Sequence, residues 1–134
     1  MGIKFAKSSI DLGIVTTNGP AMLGFYKDVL GLNHVGDMPM PGGGNMHRLL
    51  AGESLIKIVV PGRAPANKPA PGGLAGGTGY RYWTVTVTNL DEVVSAAKAA
   101  GRTIPIGRTT VRPGVEIAMI EDPDGNWVEL LETR

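Results

Sequence analysis

The chain has 134 residues, of which 43% are hydrophobic and 19% charged, with a formal net charge of +1; this describes one globular domain large enough to bury a core. Scattered Lys and Arg give no basic patch for nucleic acid, no apolar run reaches the roughly 18 residues of a membrane span, and the opening MGIKFAKSSI lacks the apolar stretch of a secretory signal, so a cytoplasmic protein is expected. Cysteine is absent, which excludes disulfides, thiolate chemistry and Cys-ligated zinc, and with only His34 and His47 present a His-rich metal site is set aside.

The alternation of SIDLGIVT predicts a strand over Ser9 to Thr16, with Asp11, Gly13 and Val15 on one face and Ile10, Leu12 and Ile14 on the other. Asn18-Gly19-Pro20 then signals a helix start. Met22, Phe25, Tyr26 and Val29 form its apolar stripe, and Gly31 suits its C-terminal end. Three short strands follow at about Leu32 to Asp37, Asn45 to Ala51 and Ser54 to Val60, the last two joined by a Gly52-Glu53 turn. A second series begins with a strand over Tyr80 to Thr88. Asn89 with Glu92 resembles a capping box, and Leu90, Val93, Val94 and Ala97 make a helical stripe ending at Gly101. Strands are predicted at Thr103 to Thr110, Val115 to Glu121 and Trp127 to Glu132, the last pair separated by the turn Asp122-Pro123-Asp124-Gly125-Asn126.

The two series are one pattern repeated at a spacing of about 71 residues. That shift carries Asp11 onto Tyr82, and a shift of about 72 brings Lys57 opposite Glu129. The expected fold is α+β: one domain over residues 1–134, with βαβββ modules at about residues 8–61 and 79–134. Residues 61–79 (PGRAPANKPAPGGLAGGTG) have little to bury and read as a linker, mobile loop or lid. Fully extended, that segment would reach about 60 Å, so it permits modules paired within a chain or exchanged between two.

Two stretches carry a family resemblance. FYKDVLGL at Phe25 to Leu32 closely resembles the FYxDVLGL helix end of the vicinal oxygen chelate superfamily, which includes glyoxalase I, bleomycin-resistance proteins and extradiol dioxygenases. DPDGNWVELLE at Asp122 to Glu132 resembles that superfamily's DPDGNxxEL ending. The resemblance implies that each module curls into a half-barrel and that the pair encloses one cavity. It also implies that ligands of a divalent metal come from the first and last strands of each module. Those four positions are Asp11, Lys57, Tyr82 and Glu129 in this chain, and only Glu129 keeps a usual family ligand. Lysine's ammonium has no lone pair to offer a cation, and a phenol ionising near pH 10 is a poor ligand. The expectation is therefore no metal cofactor; if a divalent ion is used, Asp11 and Glu129 are its candidate ligands.

Lys57 lies in an otherwise apolar strand, and burial would require a carboxylate partner, for which Asp11 and Glu129 are candidates. The same lysine reads either as part of an ion pair that replaces the metal as glue or as a member of a reactive cluster. In the second reading Asp11, Lys57, Tyr82 and Glu129 are catalytic: lysine and phenol stabilise an oxyanion or enolate, and a carboxylate acts as base. His47, Tyr80, Thr84 and Trp127 are the candidate substrate-binding residues, although the facing of His47 is left open. The resemblance then implies an enzyme, a lyase or isomerase acting on a small oxygenated molecule. A non-catalytic drug- or metabolite-binding protein and a metal-dependent glyoxalase- or dioxygenase-like enzyme are the alternatives. A homodimer is expected, because half-barrel edges need covering.

Overall fold

In the computed structural model, which describes residues 2–134, each half of the chain builds a four-stranded mixed sheet. The first half comprises β1 (Asp11–Val15), helix α1 (Gly19–Gly24) running on into a π-helical turn (Phe25–Val29), β2 (Asn33–Pro39), β3 (Gly44–Ala51) and β4 (Ser54–Pro61). The second comprises β5 (Tyr82–Thr86), α2 (Leu90–Ala99), β6 (Ile106–Arg112), β7 (Val115–Glu121) and β8 (Trp127–Thr133). Their strand orders are β1-β4-β3-β2 and β5-β8-β7-β6, with the first strand parallel to the last in each. The predicted repeat is thus a repeat of topology.

Asn18 caps α1 as its sequence position suggests, its Oδ1 accepting from the Ala21 amide at 3.4 Å. Asn89 does not complete the predicted capping box. Its amide donates to Glu92 at 3.0 Å, and the Leu90 amide is satisfied instead by Glu132 Oε1 from β8 at 3.0 Å. A tertiary carboxylate thus serves the first helical amide while the local one holds the Asn89 side chain.

Residues facing the helices alternate with residues facing away, as period-two patterning requires. Ile56 and Ile58 of β4, and Val128 and Leu130 of β8, are buried beneath the helices. The π turn lets the consecutive residues Phe25 and Tyr26 both be buried, their rings edge to face at 4.9 Å. One core serves both modules. Met22, Phe25, Tyr26 and Leu49 join Leu90, Val94, Ile120 and Leu130 in a single cluster, and Tyr26 stacks on Trp83 across the junction at 6.2 Å. Each large side chain buried there contributes about 1.5–3 kcal/mol of hydrophobic stabilisation, so the halves are joined through their helix-facing sides.

A buried polar hub reinforces that junction. Asp122, at the β7–β8 turn, accepts from Tyr26 Oη at 2.7 Å and from Asn126 Nδ2, the Asn126 amide and the Asp124 amide at 2.9 Å each. Beside it Thr16 Oγ1 donates to Asp124 Oδ2 at 2.6 Å. Sequence reading took Asp122 to Asn126 as a turn; folded, the turn is also the clamp between modules. Among the described residues no helix is long and apolar enough to cross a membrane.

Candidate functional site

The sheet faces turned away from the helices hold the candidate catalytic residues. On β1, Asp11, Gly13 and Val15 are exposed while Leu12 and Ile14 pack toward the core. Register pairs Gly13 with Lys57 and Lys57 with Arg48, so Lys57 and Arg48 lie side by side on the outer face near Asp11. Lys57 Nζ is 3.8 Å from Asp11 Oδ2, and Lys7 Nζ donates to Asp11 Oδ1 at 2.7 Å. The hydrogen bond from Lys7, helped by the charges of Lys7 and Lys57 and opposed by slight desolvation, holds the Asp11 carboxyl below its ordinary value. Asp11 is thereby an ionised partner to two ammonium groups.

On the second sheet, Tyr82, Thr84 and Thr86 are exposed on the matching face, paired in register with Trp127, Glu129 and Leu131. Thr84 Oγ1 donates to Glu129 Oε1 at 2.7 Å. All four positions expected to share a face type do so, Asp11 and Lys57 on one sheet and Tyr82 and Glu129 on the other. Among the described residues, however, no hydrogen bond or ion pair links the first pair to the second. Within the single chain they form two half-sites.

His47 and Tyr80 sit elsewhere than the sequence grouping placed them. His47 pairs with Ile58 and has the parity of buried Leu49, which puts it on the helix-facing side of β3, away from Lys57. Tyr80 precedes β5 and is fully exposed. It borders a cavity of about 460 Å³ that opens where the end of β1, the linker and the Asp124–Asn126 turn meet, with Val15, Thr16, Lys68 and Arg81 also in its wall. Asp11, Lys57, Tyr82 and Glu129 do not line that cavity.

The linker is a folded loop. Arg81 ties it down by donating from Nε to the Gly73 carbonyl at 2.7 Å and from a terminal nitrogen to the Ala70 carbonyl at 2.6 Å. Gly73, at φ +52°, lies flat on the Trp127 indole, where any Cβ would overlap the ring. Trp127 therefore packs under the linker, and its buried Nε1 has no hydrogen-bond partner among the described residues. Arg48 and the Arg81 anchor are the residues that sequence reading missed. Arg48 follows from the Gly52-Glu53 turn, because pairing Ala51 with Ser54 forces Arg48 opposite Lys57.

The four positions do not suit the divalent ion that the family resemblance implies. One donor is an ammonium, one is a neutral phenol, and the two carboxylates are engaged separately by Lys7 with Lys57 and by Thr84.

A family model described as Glyoxalase/Bleomycin resistance protein/Dioxygenase superfamily matches residues 10–130. Among solved structures, a glyoxalase family protein from Bacillus cereus superposes with a TM-score of 0.82 at 19% identity, covering 98% of this chain and 96% of that one. Lactoylglutathione lyase from Agrobacterium tumefaciens gives a TM-score of 0.66 at 24% identity, covering 96% of each chain. The trypanothione-dependent glyoxalase I of Leishmania major gives 0.73 at 17% identity, covering 91% of this chain and 84% of that one. At such identities the likeness is one of fold. No protein of curated function matches the chain in sequence.

Proposed function

The chain belongs to the Glyoxalase/Bleomycin resistance protein/Dioxygenase superfamily, and from that premise we propose that it is an enzyme, a lyase or isomerase that stabilises an oxyanion or enolate of a small oxygenated substrate without a metal. The observation that carries this reading is the Lys57–Asp11 pair, 3.8 Å apart and about one-third exposed on the open sheet face. A positive charge held by a carboxylate at a site expected to bind a cation can meet developing negative charge directly. Lys57 supplies the charge and the Tyr82 hydroxyl a further hydrogen bond. Asp11, kept ionised by Lys7, orients Lys57 and is the weaker base. Glu129, held among the described residues by the Thr84 hydroxyl alone, takes the proton next to the substrate carbonyl and returns it to the neighbouring carbon.

For Lys57 and Glu129 to touch one substrate, the two open faces must close on it, within the chain or between copies. The exposure of both faces supports a homodimer in which one module's face covers the other's. The first assay is interconversion of lactoylglutathione and its hemithioacetal precursor, measured with and without EDTA. Turnover that survives EDTA and is lost in Lys57→Ala and Glu129→Ala is the expected result. Activity abolished by EDTA and restored by one divalent ion would replace this reading with the metal-dependent one. Saturable binding without turnover would favour a non-catalytic binder.

A further inference from the structure

Counting histidines along the sequence sets aside a metal site, yet folding brings both to one carboxylate. His34 Nε2 lies 2.6 Å from Asp37 Oδ1, and His47 Nδ1 lies 2.8 Å from the same oxygen. The three donor atoms all fall within 4.8 Å of one another. The imidazoles meet edge to face at 6.0 Å, and both are mostly buried, while Asp37 is 43% exposed.

This convergence depends on an irregularity in β2. Asp37 pairs with His47, and Gly36 with Arg48, but His34 pairs with Leu49, so one extra residue is accommodated at Val35. In an unbroken strand His34 would oppose Leu50 and point to the outer face, opposite to Asp37, because residues three apart alternate. The bulge turns His34 over to the side of Asp37 and His47, and Gly36 at φ +153° provides the backbone conformation a side chain would resist. His47 is fixed in its turn against the start of α1, its Nε2 within 3.6 Å of where a Cβ on Gly19 would lie.

We propose that His34, Asp37 and His47 form a binding site for a divalent transition-metal ion, zinc foremost, on the helix-facing side of the first sheet. Two imidazoles and a carboxylate are the donor types zinc prefers, and three protein donors leave a fourth position for water or a small ligand on the exposed side of Asp37. Bonds of about 2.0–2.1 Å in a tetrahedron place donors roughly 3.3 Å apart. The two contacts to Asp37 would therefore open by about 0.5–0.7 Å, and the two ring nitrogens, within 4.8 Å of each other, would close by up to about 1.5 Å, within the reach of side-chain rotation. In the metal-free arrangement both imidazole N–H groups point at Asp37; binding moves each proton to the other ring nitrogen, or releases it from a doubly protonated ring. Such an ion would pin the edge strand β2 to β3. It would sit on the opposite side of the sheet from Lys57 and supply nothing to the outer face, so the inference stands or falls independently of the proposed activity.

The test is titration of chelator-treated, dialysed full-length protein with Co²⁺, followed by visible absorption, with Zn²⁺ competition and thermal melting alongside. The expected result is one Co²⁺ per chain with the intense d–d bands of a four- or five-coordinate site, displaced by Zn²⁺, and a rise in melting temperature on adding Zn²⁺. His34→Gln and Asp37→Asn should each remove the bands and the thermal shift while retaining the wild-type circular dichroism; Glu129→Gln should change neither. Should one of the two misfold, His47→Gln takes its place under the same criterion. Absence of saturable binding below millimolar metal, or bands that persist in His34→Gln and Asp37→Asn, would overturn the proposal. Bands lost instead in Glu129→Gln would overturn it too and move the ion to the outer face.

Discussion

Tyr26→Phe isolates the hydrogen bond that joins the two modules. The ring keeps its place against Phe25 and Trp83, and only the hydroxyl that donates to Asp122 at 2.7 Å is lost. A bond to a buried charged acceptor contributes about 1.5–3 kcal/mol. Asp122 Oδ2 keeps the Asn126 side-chain amide at 2.9 Å, so the loss should fall at the lower end, about 1.5–2 kcal/mol. For a domain of this size that is a drop of roughly 5–8 °C in Tm. Asp122→Ala strips the acceptor from four donors and should cost about 3 kcal/mol or more. In that background the extra effect of Tyr26→Phe should nearly vanish, giving a coupling of about 1–2 kcal/mol in a double-mutant cycle. The deficit should also depend on pH. Burial pushes the Asp122 carboxyl above its ordinary 3.8, while bonds from Tyr26 and Asn126 pull it back. A carboxyl whose folded-state pKa is raised penalises the folded state at neutral pH, and the penalty fades as pH falls through the folded value toward the unfolded one. Removing the Tyr26 donor lifts the folded value further, so the mutant's deficit is greatest at neutral pH and narrows in mild acid. Urea unfolding of the four proteins at about pH 7 and pH 4.5 measures both quantities. Additive mutations, or a deficit that grows in acid, would refute the reasoning.

Two further expectations concern the linker and the assembly. Gly73→Ala forces a Cβ into the Trp127 indole at a backbone angle of +52°, so the linker should lift: tryptic cleavage after Arg63 accelerates and Trp127 emission shifts to the red, and unchanged values of both would show that the loop is not seated there. Light scattering at micromolar concentration should return twice the mass of 14.0 kDa, since Asp11 and Val15 on one outer face and Tyr82, Thr84 and Thr86 on the other are exposed in one chain; a monomer mass would confine any shared site to a single copy.

Local chemistry decided most of the elements. Alternation in SIDLGIVT and WVELLE, the stripes on both helices, and the Gly52-Glu53 and Asp122–Asn126 turns are written in neighbouring residues, because strand and helix periods and turn angles are properties of short segments. The facing of Asp11, Lys57, Tyr82 and Glu129 follows from the same alternation, as the observed register has it. The facing of His47, left open by the sequence, was decided by the observed register, in which the turn pairing Ala51 with Ser54 sets His47 opposite buried Ile58.

Other features depended on contacts distant in sequence. One inserted residue at Val35 reverses His34 and assembles a metal-ligand set that no spacing rule anticipates, since His34 and Asp37 fall on opposite faces of a regular strand. Glu132 satisfies the first amide of α2 from 42 residues away. Residues 61–79 carry no periodic apolar signal, yet Arg81 and the flat face of Gly73 on Trp127 give them a fixed place. Asp122 reads as a turn residue until the core forms, and only then does Tyr26, 96 positions earlier, reach its carboxylate. Sequence sets which side a residue faces within its own element; packing decides what waits on that side.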